Sequence, residues 1–110
     1  MFSPTLKKGS AELLILSLIE FEPRHGYEIG KLIETRSGGR LRFQASSLYP
    51  VLFRMERRGW IKGRWVEKEG QRRRKYYRLT RSGQDALRAK QATWLQFAES
   101  VNQVLGLSHG

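Results

Sequence analysis

Four consecutive cations, Arg72-Arg73-Arg74-Lys75, and a run of hydroxyl, aromatic and guanidinium groups at Ser46, Ser47, Tyr49, Pro50 and Arg54 are the residues most capable of chemistry in this chain. Lysine and arginine neutralise phosphates, while serine, tyrosine and arginine hydrogen-bond base edges or sugar-phosphate oxygens. Tyr27, in a separate block, has the same competence. None of this makes or breaks bonds. The sequence holds no Ser/His/Asp arrangement, no phosphate-cradling glycine loop and no convincing carboxylate pair, so catalysis is not expected. It has no cysteine, and His25 and His109 stand isolated with no acidic cluster beside them; neither a metal nor a cofactor is expected. His25, directly before Gly26, reads as a turn or cap residue.

These groups need a helix and a hairpin to position them. A helix capped by Ser46 or Ser47 carries Leu48, Leu52 and Met55 on one face with Val51 beside them, and turns Pro50, Phe53, Arg54 and Arg57 to the other. Pro50 is tolerated in the first turn, and Gly59 stops the helix. Trp60 to Glu67 and Arg74 to Leu79 are rich in β-formers. The stretch 68–73 between them holds Gly70 and no apolar residue, as a hairpin loop would. Tyr76 and Tyr77 are adjacent on a strand and must face opposite ways, so one belongs to the core.

Upstream, residues 1–9 read as a short arm before a helix running from a Ser10 cap to about Phe21. That helix is apolar nearly all round, which suggests burial on more than one side and, in a small protein, a second chain. A second helix spans about 26–37 and ends at Gly38-Gly39, and Leu41-Arg42-Phe43 could hold a small strand. Downstream, Thr80 or Ser82 caps a long last helix to about Leu105. Its Leu87, Trp94, Phe97, Ala98, Val101, Val104 and Leu105 form a seven-residue pattern, interrupted at Lys90. Three helices followed by a β-hairpin is the order of a winged helix-turn-helix, whose third helix lies in the major groove while the hairpin loop reaches flanking phosphates or the minor groove. The expected class is therefore mainly α with a small β-hairpin wing (α+β). Residues 1–80 form the winged helix-turn-helix, and residues 81–110 a C-terminal dimerisation helix in one compact unit.

The net charge of +11 is concentrated. Residues 41–80 carry twelve Lys/Arg against three Glu, whereas the two flanking segments each have an excess of one. An excess confined to one helix and one hairpin is the footprint of a polyanion partner. No signal-peptide pattern and no run of about 18 apolar residues occurs, so the expected location is cytoplasmic, away from the membrane.

The sequence resembles the PadR family of transcriptional regulators, of the short type. The likeness rests on His25-Gly-Tyr-Glu-Ile29, on Ser47-Leu-Tyr-Pro-Val-Leu-Phe-Arg-Met-Glu-Arg-Arg-Gly-Trp-Ile61, and on Gly70-Gln-Arg-Arg-Arg-Lys-Tyr-Tyr-Arg-Leu-Thr80 with Gly83 after it. Family members commonly have Leu where this chain has Met55 and Trp60, and Gly or Thr is frequent where Ser46-Ser47 stand. The resemblance implies a homodimer formed through the first and last helices, binding a two-fold symmetric operator on double-stranded DNA and repressing transcription. Leu13, Leu16, Leu87, Trp94, Phe97, Val101 and Leu105 would carry the dimer interface. Tyr27, Ser46, Ser47, Tyr49, Pro50, Arg54 and Arg72–Lys75 would meet DNA, the loop arginines more than Lys75. The resemblance also implies a small hydrophobic or aromatic effector: in some multidrug-sensing relatives a tryptophan on the last helix lines a cavity between subunits, and Trp94, with Phe97 beside it, is the match. The other reading of Trp94 is plain packing in the interface. A nonspecific nucleic-acid-binding module and a protein-interaction module remain the alternatives to a specific regulator.

Overall fold

A computed structural model describes the backbone of residues 4–107 and the side chains of residues 9–107. In chain order the elements are α1 (Pro4–Leu18), β1 (Arg24–His25), α2 (Gly26–Arg36), α3 (Ala45–Arg57), β2 (Ile61–Val66), β3 (Arg74–Leu79) and α4 (Arg81–Leu105). Among the described residues they make four helices and one antiparallel sheet of order β1-β3-β2. The fold is α+β, mainly helical, with β2 and β3 as the wing. Ile61 pairs with Leu79 at the base of the hairpin and Val66 with Arg74 near its tip.

The core is continuous through every larger element. Its completely buried side chains are Ile15, Leu16 and Ile19 at and after the end of α1, Ile29 on α2, Leu52 and Met55 on α3, Ile61 on β2 and Leu87 on α4. Each contributes about 1.5–3 kcal/mol relative to exposure. The apolar circumference of α1 is accounted for by its central place, packed against α2, α3 and α4 at once. Leu48, Val51, Leu52 and Met55 are the buried residues of α3, the face that the spacing predicts. Of the two adjacent tyrosines, Tyr77 is the buried one.

Several expectations are corrected. Residues 4–9 are helical: Pro4 suits the first helical position, the helix runs through Gly9, and Ser10 lies inside α1. The segment 41–43 is a loop held by Ser37, whose Oγ accepts from Leu41 N at 2.9 Å. The third strand is Arg24–His25, paired with Tyr77 and Tyr76 of β3. The N-cap of α3 is Gln44, with no side-chain cap bond, so Ser46 and Ser47 lie in the first turn and Pro50, expected there, stands in the second, inside the helix. Leu16 and Leu87, expected at a subunit interface, are spent on the protomer's own core and have no surface to offer. His109 lies outside the described residues.

Capping holds the junctions. Thr80 is the N-cap of α4, its Oγ1 accepting from Gly83 N at 3.0 Å, while Ser82 Oγ donates to Gly59 O at 3.0 Å. Gly59 itself sits at φ 80°, the left-handed conformation in which a helix end favours glycine. Lys90, the polar break in the α4 stripe, pairs with Glu12 of α1 at 3.0 Å and lies over the Trp60 ring. From residue 92 to 107 every side chain except that of Ala98 is exposed.

Candidate nucleic-acid interface

The exposed face of α3 carries Ser46, Pro50, Phe53, Arg54 and Arg57 in successive turns, with Ser47 and Tyr49 beside them, all open to solvent. Ser47 N and Leu48 N both bond to Gln44 O, at 2.9 and 3.0 Å. The amides of Ala45 and Ser46 precede them and have no intrahelical acceptor, as at any helix start. The first turn therefore presents N–H groups and hydroxyls together.

Between this helix start, the start of α2 and the wing lies a cleft of about 500 Å³. Tyr49 comes to it from α3, Tyr27 and His25 from the start of α2, and Trp65 and Arg72–Lys75 from the wing, so the structure brings the predicted Tyr27, Tyr49 and Arg72–Lys75 together. Ser46, Ser47, Pro50 and Arg54 stay on the α3 face outside it. The Tyr49 ring lies directly over Gly26, so close that a Cβ there would come within 2.7 Å of it and the tyrosine would have to shift. The arrangement is rich in cations and rings: Arg73 stands 4.8 Å from the Trp65 ring centroid and Arg74 5.7 Å from that of Tyr27.

The four consecutive cations are not equivalent. Arg72 and Arg73 are exposed, and Arg74 and Lys75 are half-buried. Arg74 Nη1 stands 3.1 Å from His25 Nε2 and 3.2 Å from Nδ1. Lys75 Nζ donates to Glu56 Oε1 at 2.8 Å, and that bond raises the lysine pKa. Glu56 Oε2 in turn accepts from Gly63 N at 3.2 Å. One carboxylate on α3 thus fastens both wing strands, and Lys75 is a structural cation of the wing rather than a free one. Glu56 and Trp65 were not among the predicted site residues. Glu56 is signalled in the sequence only as the single acid of α3, and Trp65 only as a large aromatic on a basic strand.

His25 is the N-cap of α2: its Nδ1 accepts from Glu28 N at 3.2 Å. Burial, then the Arg74 charge, lowers its pKa, which keeps the imidazole neutral and Nδ1 available as acceptor. Burial likewise raises the pKa of Tyr77. Among the described residues no group of His, Asp and Glu side chains could hold a metal ion, and no helix is long and apolar enough to cross a membrane.

The candidate interface residues of α4 are placed differently. Trp94 and Phe97 stand side by side on the exposed part of the helix, ring centroids 6.3 Å apart, with Val101 and Leu105 exposed further along. Leu13 of α1 is half-buried against the core.

Comparison with known proteins agrees with this geometry. Residues 15–89 match the family described as Transcriptional regulator PadR-like. The chain is 30% identical over 95 residues to an uncharacterised protein of Lysinibacillus sphaericus, covering 86% of this chain and 87% of that one. A transcriptional regulator from Clostridium thermocellum superposes with a TM-score of 0.85 at 29% identity, covering 94% of this chain and 97% of its own. A PadR-family transcriptional regulator from Eggerthella lenta does so with 0.80 at 32% identity, covering 92% and 86%. Proteins of this kind regulate transcription by binding DNA and are not enzymes. With its wing, its exposed third helix and about two thirds of its length inside the match, the chain belongs to the PadR-like family of transcriptional regulators.

Proposed function

We propose that the protein is a repressor that binds a two-fold symmetric operator as a homodimer. The observation that carries the reading is the open first turn of α3 beside the exposed wing arginines. Ser46, Ser47, Tyr49, Pro50 and Arg54 enter the major groove, with the free amides of the first turn on a phosphate, while Arg72 and Arg73 hold the flanking backbone. Arg74 and Tyr27 close the cleft between the two. Dimerisation is supported by the last turns of α4, where Trp94, Phe97, Val101 and Leu105 expose apolar surface that none of the other described residues covers. A small hydrophobic or aromatic effector that intercalates at Trp94 and Phe97, between the two copies of α4, would alter the separation of the two recognition helices and release the operator.

The test is fluorescence-anisotropy titration of the purified protein with duplexes from upstream of its own gene, against scrambled duplex at about 150 mM salt. About a hundredfold preference for one palindromic fragment is expected, within the range of specific regulators. Equal, salt-sensitive binding to every duplex would replace the reading with nonspecific nucleic-acid binding.

A further inference from the structure

The sheet has a second basic face, and it is not the one that packs on α3. Along β2 and β3 the side chains alternate. Trp65, Lys75 and Tyr77 belong to the inner face, toward Glu56 and the cleft. Lys62, Arg64, Tyr76 and Arg78 belong to the outer face, with Lys68 at its upper end over the Tyr76 ring. A shallow hollow of about 300 Å³ lies there, lined by Arg64, Lys68, Tyr76 and Arg78 together with Pro23 and Val66. The four cations Lys62, Arg64, Lys68 and Arg78 are all exposed, and none makes an ion pair among the described residues. Lys62 stands directly opposite Arg78 in the register.

Like charges placed opposite one another across two strands repel, and the usual remedy is an acid on the same face. The two acids of the hairpin, Glu67 and Glu69, stand in the loop and pair with none of the four. Cations on an edge strand can serve to block strand addition, which would account for Lys62 and Arg64 on β2. It does not account for Arg78, which is on β3, the middle strand. A polyanion relieves the repulsion, and a phosphate backbone also offers an acceptor to the Tyr76 hydroxyl.

We infer that this outer face is a second phosphate-binding surface, and that its occupant is the DNA flanking the operator core on the same duplex. The inference rests on the DNA-binding reading above. Because the face is turned away from α3, a duplex seated on α3 reaches it only beyond the base pairs that α3 covers. The surface therefore adds affinity and footprint length without reading sequence.

The experiment compares the full chain with a Lys62→Gln, Arg64→Gln, Arg78→Gln variant on a minimal operator and on the same operator extended by ten base pairs at each end. Wild type is expected to bind the long duplex at least tenfold more tightly than the short one at about 150 mM salt. The variant should lose that gain on the long duplex and stay within threefold of wild type on the short one. Its slope of log K against log salt on the long duplex should be shallower by about 5, for three phosphates in each of two protomers at about 0.9 each. An Arg64→Lys, Arg78→Lys variant keeps the charges and should retain the gain. A matched control, Lys31→Gln, Arg36→Gln, Arg40→Gln, carries the same change in net charge and should retain it too. No gain for wild type on extension, equal loss by the variant on both lengths, or equal loss by the matched control overturns the inference. So does bridging of two separate duplexes without a length effect, which would assign the face to a second DNA molecule. Failure of the operator reading is seen separately, as absence of preference for the short operator over scrambled duplex in the same titrations.

Discussion

Lys75 illustrates how much a single contact changes the meaning of a residue. By type and position it belongs with Arg72, Arg73 and Arg74, yet its charge is answered by Glu56, nineteen residues earlier in the chain. No local pattern signals that pairing, because it depends on how the hairpin folds back over α3. Two expectations follow. Lys75→Gln should change the salt slope of DNA binding less than Arg73→Gln, measured by the same titration. Glu56→Gln should lower stability by about 0.5–1 kcal/mol, the scale of a partly exposed ion pair, read as a shift of the urea midpoint. His25 supplies a pH dependence. Its folded pKa lies below the ordinary value, so the unfolded chain takes up the proton first on acidification. Stability is then complete above about pH 6.5 and falls as pH drops through the folded value. His25→Asn keeps a side-chain acceptor at the cap and does not titrate; its thermal midpoint should be flatter across that window. A curve parallel to that of wild type would remove His25 from the account.

At the scale of elements, α3 and the wing were legible because their signals are periodic or compositional. The burial of Leu48, Val51, Leu52 and Met55 follows from helical spacing, and the loop before Arg74 from Gly70 among polar residues. The strand β1 was not legible, since two residues have no periodicity and its existence depends on β3 lying beside it. The early start of α1 was masked by Gly9 and the lysines before it, which read as an arm, and the α3 cap by serines that look like caps but sit two and three residues inside the helix. Of the candidate DNA-contacting residues, the sequence reveals the types and their grouping, while the difference between exposed Arg72 and Arg73 and the engaged Arg74 and Lys75 is a tertiary property. Replacing Arg72, Arg73 and Arg74 together by Ala should weaken binding to any duplex and make the salt slope shallower by about 0.9 for each phosphate lost. An unchanged slope would take the wing out of the interface.

The whole molecule measures 55 × 30 × 21 Å, and its radius of gyration of 15.5 Å exceeds the value of about 13 Å for a rounded chain of this length. The excess comes from α4, 25 residues and about 37 Å long, whose first turns are held by Leu87 in the core, by Lys90 on Glu12 of α1 and by Arg88 on Glu20 just after it, while the rest projects. Under the proposed dimer this projection is the subunit contact. Val101→Glu with Leu105→Glu should then give monomers by analytical ultracentrifugation, with operator affinity lost and the thermal midpoint of the protomer nearly unchanged; a dimer that survives would place the interface elsewhere. The bond from Glu56 to Lys75 and Gly63 has a consequence for the DNA as well. It holds α3 and the wing in one relative placement, so under the proposed DNA-binding reading the gap between them is set by the protein. A duplex entering that gap must match its groove width to it, and stiff or pliable base steps between the two contact zones should raise or lower affinity although no side chain touches them.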